Sequence, residues 1–317
     1  MKRIKNIIAI FLAIMVPVML CACKKNKVTN VELPSEIKLT SDNGQPLLKL
    51  YDTSTKSISE ITIEDYLVGV VAGEIHNDWP IEAIKAQAIL ARSYTLYYLK
   101  HYKSKYPGAD ISNDVTEAQA YNTERINDNI KKAVADTKGL IMSCDGEPVE
   151  AWFHSNSGGV TTTAKNGLNF MGQENYTKSV SSPENKNNSQ DYEWNCTFKK
   201  SEVLSALRAM GVSVSSINSF AVGEKDSSGR ATTFKVGGAE ISASTFRLKI
   251  GSTKLKSTLI NNIIVSSNTI YFAGRGYGHG VGLSQWGAKV LADEGKTAEE
   301  IIKYYFNNVN IQEYKVS

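Results

Sequence analysis

Only two cysteines, Cys144 and Cys196, lie beyond the first 23 residues, and no CxxC pair occurs in the 317-residue chain. They can form one disulfide outside a cell, stay free or help hold a metal, and their spacing does not choose among these. Net charge is small, formally +4, and no basic run is interleaved with aromatic residues, so nucleic acid is not an expected partner. The chain lacks a GxGxxG fingerprint, a Walker P-loop and a GxSxG elbow. These absences remove dinucleotide chemistry, P-loop phosphate binding and the elbow form of serine hydrolysis. No internal repeat is present either.

What the chain does have begins at its first residues. Lys2, Arg3 and Lys5 precede an apolar run from Ile7 to Leu20, followed by Cys21, Ala22 and Cys23. This is the pattern of an export signal, and the run is short for a helix that stays in the bilayer. Leu20-Cys21-Ala22-Cys23 resembles the lipobox of bacterial lipoproteins. Cleavage before Cys23 would leave that residue lipidated, and its chains would hold the protein on the outer face of the cytoplasmic membrane, facing the cell wall. The other reading is a retained signal anchor; both place the domain outside the cytoplasm. Removal of Lys2, Arg3 and Lys5 takes the formal charge from +4 to about +1. The expected organisation is a signal peptide at 1–22, a polar tether at 23–46 and a catalytic domain at 47–312, with 181–260 as a lid or insertion. Roughly 290 mature residues suffice for one elaborate domain or two lobes.

Beyond the tether, the pattern predicts a strand or hairpin over Leu48 to Ile61 and a helix capped by Thr62 with Asp65. A second helix opens at Pro80 and continues through an alanine-rich stretch to the Tyr94, Tyr97, Tyr98 and Tyr102 group. Residues 104–122 read as loop, Asp128 to Ala135 as a short helix, and Leu140 to Cys144 with Val149 to His154 as a hairpin about Asp145-Gly146. Ser181 to Gln190 is a polar loop. Helices at Ser201 to Met210 and Ser242 to Ile250 alternate with strands near 219–222, 232–236, 263–265 and 269–273, and Thr297 with Glu300 caps a last helix. Helices and strands mix without a regular βαβ order, so the expected class is α+β, with mostly antiparallel strands, as one elaborate domain or two lobes around a cleft.

Glu74 breaks the helical pattern in an informative place. Ile63, Leu67, Val70 and Val71 recur at helical spacing, and position 74 continues that apolar stripe. A carboxyl on the inward face, near carbonyls that disfavour negative charge, holds its proton to high pH, which is how a general acid is made. The plain alternative is a Glu whose stem packs while its head reaches water. Gly274 to Gly282 places a glycine at every second position around His279, a loop for close backbone approach, and leads into Ser284 and Gln285 at a helix start. Phe153-His154-Ser155 is a second histidine segment running into Gly158 and Gly159. Two such loops suggest the walls of one cleft. No short-spaced ligand pair supports zinc from His154, His279, Cys144 or Cys196, so no cofactor is expected.

These segments together resemble the stage II sporulation protein D family, the SpoIID/LytB domain, over roughly residues 48 to 310. The resemblance rests on Glu64-Asp65-Tyr66-Leu67 with Gly69-Val70-Val71-Ala72 and Glu74, and on Trp79-Pro80, Glu82-Ala83, Lys85 to Ala88 and Ala91 to Tyr94. It continues in Phe153-His154-Ser155 with Gly158-Gly159, Tyr176 to Val180 and Gly276 to Ala288. It implies a lytic transglycosylase that cuts peptidoglycan strands already stripped of stem peptides, during engulfment in sporulation. Expected partners are glycan strands, a cell-wall amidase and membrane sporulation proteins. The family's essential acid falls on Glu74, and its other important positions fall on Arg92, Tyr176 and Lys178; His154, Ser155, His279, Ser284 and Gln285 join them as candidate substrate contacts. A family Asp in the loop after Tyr176 to Lys178 is replaced near Asn185. Clostridial relatives can bind zinc through cysteines, one of them in the His-Ser segment, where this chain has Asn156 and Ser157, so the resemblance does not carry zinc dependence over. A second activity class within the superfamily is the enhancement of wall amidases without catalysis.

Overall fold

The computed structural model describes residues 31–32, 37–38, 40, 44–172 and 175–315. The export segment and Cys23 lie outside the described residues. Within the expected tether, β1 (Val31–Glu32) pairs in parallel with the last strand of the chain. The hairpin of β2 (Leu47–Asp52) and β3 (Ser57–Thr62) then leads into α1 (Ile63–Glu74), where the Thr62 hydroxyl accepts from the Asp65 amide. The 21-residue α2 (Ile81–His101) follows. Its small residues Ala83, Ala86, Ala88 and Ala91 are completely buried, which lets α1, α3 (Asp128–Asp136) and the later helices pack closely on it.

The short β4 (Ile111–Ser112) adds to β2 within the stretch expected as loop. The strand β5 (Leu140–Cys144) turns at Asp145, but the expected second arm does not run on to His154. Of that arm only β6 (Glu147–Pro148) pairs with β5; the chain then leaves the sheet, and β7 (Phe153–His154) pairs in parallel with β14 (Leu283–Ser284). Pro148 explains the break, since it has no N–H to continue a ladder. A short α4 (Ala164–Leu168) ends this first stretch of chain.

A second hydrophobic core draws its buried residues from Trp194 to Phe272. Strand β8 (Glu193–Lys199) turns Trp194, Cys196 and Phe198 inward in strict alternation and pairs with β13 (Thr269–Arg275), which also pairs with β12 (Ile260–Val265). Beside them lie α5 (Lys200–Ala209), the antiparallel sheet of β9 (Phe220–Val222), β10 (Thr233–Val236) and β11 (Ala239–Ser242), and α6 (Ala243–Ile250). Phe198, Phe220, Phe234, Phe246 and Phe272 meet at centroid distances of 5.1–6.0 Å. The span expected as one insertion therefore divides, because 181–190 is not part of this second core and β13 extends it past 260. After the glycine-rich loop the chain returns to the first core with α7 (Gln285–Asp293), α8 (Ala298–Tyr305) and β15 (Asn310–Lys315). The fold is α+β with mostly antiparallel pairing, and among the described residues no helix is long and apolar enough to cross a membrane.

Candidate active site

Glu74 is the last residue of α1, at the end of a stripe whose Leu67, Val70 and Val71 are completely buried. The side chain is half-buried, and Oε1 accepts a 2.6 Å hydrogen bond from the Ala120 amide. That approach is possible because Gly73 faces the Ala120 backbone, where a Cβ would sit 2.8 Å from it. Burial pushes the Glu74 pKa up to about 7, against the opposing pull of the Ala120 bond. Tyr66 and Tyr94 are close enough for the Glu74 charge to raise their own pKa values further, after burial has done most of it.

The first turn of α7 reaches the same place. Gln285 Nε2 donates to the Glu74 carbonyl at 2.9 Å and to Gln87 Oε1 at 3.1 Å. Its neighbour Ser284 caps α7 and donates through Oγ to Glu184 at 2.6 Å. Glu184 is 1% exposed, and its Oε1 also accepts from the Ser157 amide at 2.8 Å and the Ser157 hydroxyl at 2.5 Å, while Oε2 accepts from Ser182. A single carboxylate thus ties the 181–190 loop, the His154 segment and the start of α7 together. The amide of Trp286 donates to the Ser155 carbonyl at 3.0 Å, which joins the same two segments beside it. Two residues past Glu74, His76 stacks on Trp79 at 4.8 Å, and Trp79 meets Trp286 edge-on at 4.7 Å. His76 is exposed and Trp286 half-buried, so this aromatic group offers an open face two residues from the acid.

Residues 51–143 match the family described as Stage II sporulation protein, and residues 119–282 match a domain of unknown function. The chain is 34% identical to an uncharacterised protein of Brachyspira hyodysenteriae, over 83% of this chain and 70% of that one. It is 32% identical to the stage II sporulation protein D of Bacillus subtilis, over 84% of this chain and 79% of the relative. The chain belongs to the stage II sporulation protein D family. A 26% identity to the amidase enhancer of Bacillus subtilis covers 78% of this chain and 40% of that protein.

In this member of the stage II sporulation protein D family, the expected site residues do not all fall in one place. Gln285 bonds the Glu74 carbonyl, Ser284 beside it is completely buried on Glu184 and the α7 cap, and Ser155 meets α7 through its carbonyl. His154 and His279 form a second group, their ring centroids 5.5 Å apart about Val281. His154 Nδ1 faces the Val281 carbonyl at 3.0 Å, and His279 Nδ1 accepts from the Val281 amide at 3.0 Å. Burial, with Arg247 and Arg230 nearby, pushes the His279 pKa down to about 3. Burial, His279 and Arg230 lower that of His154 as well. The expectation that both rings face a glycan is corrected to this extent: His154 is buried, and both are neutral rings pinning loop backbone.

Arg92 needs a larger correction. It is completely buried, with Nε and NH2 on the two Glu64 oxygens at 2.9 and 2.7 Å and NH1 on the Leu140 carbonyl at 2.9 Å. No face of the guanidinium is free for a sugar; it orients a carboxylate inside the fold. Tyr176 is buried against Trp152, the rings stacked at 5.7 Å, and Lys178 Nζ donates to the Lys303 carbonyl of α8 at 3.2 Å. Neither has a hydrogen bond to the Glu74 group among the described residues. Sequence reasoning passed over Glu184, which sits in a polar loop with no periodicity to mark it, one residue before the exposed Asn185. It also passed over His76 and Trp286, whose meeting depends on α7 packing against α2. The two cysteines are free and buried, Cys144 in the first core and Cys196 in the second.

Proposed function

We propose that the protein is a peptidoglycan lytic transglycosylase that cleaves the bond from N-acetylmuramic acid to N-acetylglucosamine in denuded glycan, with a role in sporulation. The observation that carries this reading is Glu74, a half-buried carboxyl that still holds its proton near neutral pH beside an open aromatic face. Glycoside cleavage by acid and base commonly uses two carboxyls. Here Glu74 protonates the glycosidic oxygen as the bond from C1 breaks. The C6 hydroxyl of the same muramic ring then attacks C1, and its proton returns to the ionised Glu74. No water is consumed, the acid is regenerated, and the product is a 1,6-anhydro sugar. The His76, Trp79 and Trp286 group supplies a stacking surface for a sugar ring. In this reading lipid on Cys23 holds the domain at the outer face of the cytoplasmic membrane, within reach of the wall.

Mass spectrometry of the products from stem-peptide-free peptidoglycan tests the assignment. Wild-type protein releases anhydro-ended fragments, and Glu74→Gln, which keeps the acceptor for Ala120, releases none while remaining folded. Fragments released by the mutant at wild-type rate would sink it. The likeness to an amidase enhancer favours a second reading, a non-catalytic partner of a wall amidase. In that case the wild-type protein alone yields no new ends but accelerates an added amidase.

A further inference from the structure

The residue that touches the Glu74 carboxyl belongs to a strap. After β4, residues 113–122 run over α1 and α2 with no helix or strand of their own. Side chains tie the strap down along its length. Glu117 accepts from the Tyr98 hydroxyl at 2.8 Å, from the Lys105 amide at 3.0 Å and from Ser112. Gln119, itself buried, accepts from the Thr95 hydroxyl of α2 at 3.2 Å. Tyr121 stacks on Tyr66 of α1 at 5.7 Å, and the Asn122 amide donates to the Gly69 carbonyl at 2.9 Å. Between these ties lies Ala120, whose amide meets Glu74 Oε1.

Two glycines, one helical turn apart on α1, let the strap come this close. A Cβ on Gly69 would stand 2.3 Å from the Tyr121 ring, and one on Gly73 would stand 2.8 Å from the Ala120 carbonyl group. The first neighbour is a side chain that can turn away. The second is backbone, and it moves only if the strap moves. Both glycines are helical, so what these positions need is a bare surface rather than conformational freedom. Burial favours the neutral form of Glu74, whereas the Ala120 amide is a donor that favours the charged form. The titratable groups around the acid are Tyr66 of its own helix and Tyr94 of α2, both kept neutral by burial, and His76, which stacks on Trp79. From α7 come Gln285 and Trp286, which do not titrate. The strap's own carboxylate, Glu117, is turned to Tyr98 and Ser112, so at Glu74 the strap supplies a backbone dipole and not a charge.

The geometry points to Gly73 as a positioning residue for Glu74: its bare face admits the strap, so that the Ala120 amide, tied in place through Glu117, Gln119 and Tyr121, lies on the carboxyl. It rests on the reading of Glu74 as the cleaving acid and extends it by naming what sets the pH at which that acid gives up its proton. Gly73 touches no substrate; it acts through Ala120.

The test is an NMR titration in two arms. With isotope-labelled glutamate, the Glu74 carboxyl of the wild type titrates near pH 7, and Gly73→Ala moves that inflection upward by about one pH unit or more, because a hydrogen bond to the charged form is lengthened or lost. Alanine suits a helix better than glycine, so the strain of the added methyl falls on the strap and not on α1. A mere loss of stability would leave the inflection of the folded molecules where it was. The second arm needs no substitution at Gly73: with isotope-labelled alanine, the Ala120 amide of the wild type follows the same inflection and stays still in Glu74→Gln. An inflection unmoved by Gly73→Ala overturns the assignment, as does an Ala120 amide that ignores Glu74 or still shifts in Glu74→Gln with the titration of another group such as His76. The two proposals fail separately. A carboxyl that moves with Gly73→Ala, with no anhydro product from wild type at any pH, removes only the cleavage reaction. Product formation whose alkaline limb, like the carboxyl inflection, is indifferent to Gly73→Ala removes only the positioning role.

Discussion

At the scale of single residues, Glu74 carries opposite consequences for stability and for chemistry. Its folded pKa, raised to about 7 by burial, lies above the ordinary carboxyl value of 4.5. The folded state therefore binds the proton more tightly than the unfolded state. Below pH 4.5 both forms are protonated and the group costs nothing; between 4.5 and about 7 stability falls as pH rises, and above 7 the full cost is present. The rise from 4.5 to about 7 corresponds to about 3 kcal/mol. Glu74→Gln removes that term while keeping shape and the bond to Ala120. Urea denaturation should show the mutant more stable than wild type by up to about 3 kcal/mol at pH 8 and equal to it at pH 4. A mutant equally stable at both pH values would mean that the carboxyl is not desolvated, and the acid would lose its physical basis.

At the scale of elements, the start of α7 is set by a carboxylate from elsewhere in the chain. Glu184 receives three serine hydroxyls and one amide, and through Ser284 it fixes the turn from which Gln285 reaches the end of α1. Glu184→Ala leaves those donors facing a buried void and should cost about 3 kcal/mol in denaturant unfolding, with Glu184→Gln costing much less because it retains an acceptor. Equal losses for the two variants would show that shape, not hydrogen bonding, is what the loop needs. This is also where sequence legibility ends. Thr62 with Asp65, Thr297 with Glu300 and the stripe ending at Glu74 predict their helices, because capping and periodicity are local. Glu184 in a polar loop, Arg92 on Glu64 and His76 beside Trp286 depend on which elements meet, and no local pattern encodes that. The hairpin error has the same origin: the Asp145-Gly146 turn is a local signal, yet β7 pairs with β14 from far along the chain. Gly282 makes that pairing possible, since its φ is +69° and a Cβ there would lie 2.1 Å from the Trp152 carbonyl.

At the scale of the whole molecule, two hydrophobic cores must act as one body if the loops around Glu74 are to hold their places. Arg230 comes from the loop between β9 and β10, beside the second core, and is 1% exposed. Its NH2 donates to the Ser157 and Val160 carbonyls of the segment that also meets Glu184. Asp226 from the same loop accepts from Thr162, and the Gly278 amide donates to the Lys256 carbonyl at 2.9 Å. Burial draws the Arg230 pKa down to about 10, so the group stays charged at neutral pH and is desolvated at a cost that the carbonyls and Asp226 offset in part, since Nε and Nη1 are enclosed without a hydrogen-bond partner. Arg230→Leu removes the donors and leaves Ser157 and Val160 carbonyls enclosed, a loss of about 2–3 kcal/mol concentrated at the junction rather than in either core. Because the Phe198 to Phe272 cluster is untouched, the expected calorimetric result is a split of one unfolding transition into two, with the second core melting separately. Under the proposed cleavage reaction, release of anhydro fragments should fall in the same variant, since Ser157 shares Glu184 with Ser284 and the junction thereby reaches Gln285 and Glu74. A single transition at the wild-type temperature with full activity would show that the lobes are held by other contacts, and that Arg230 is buried there without joining them.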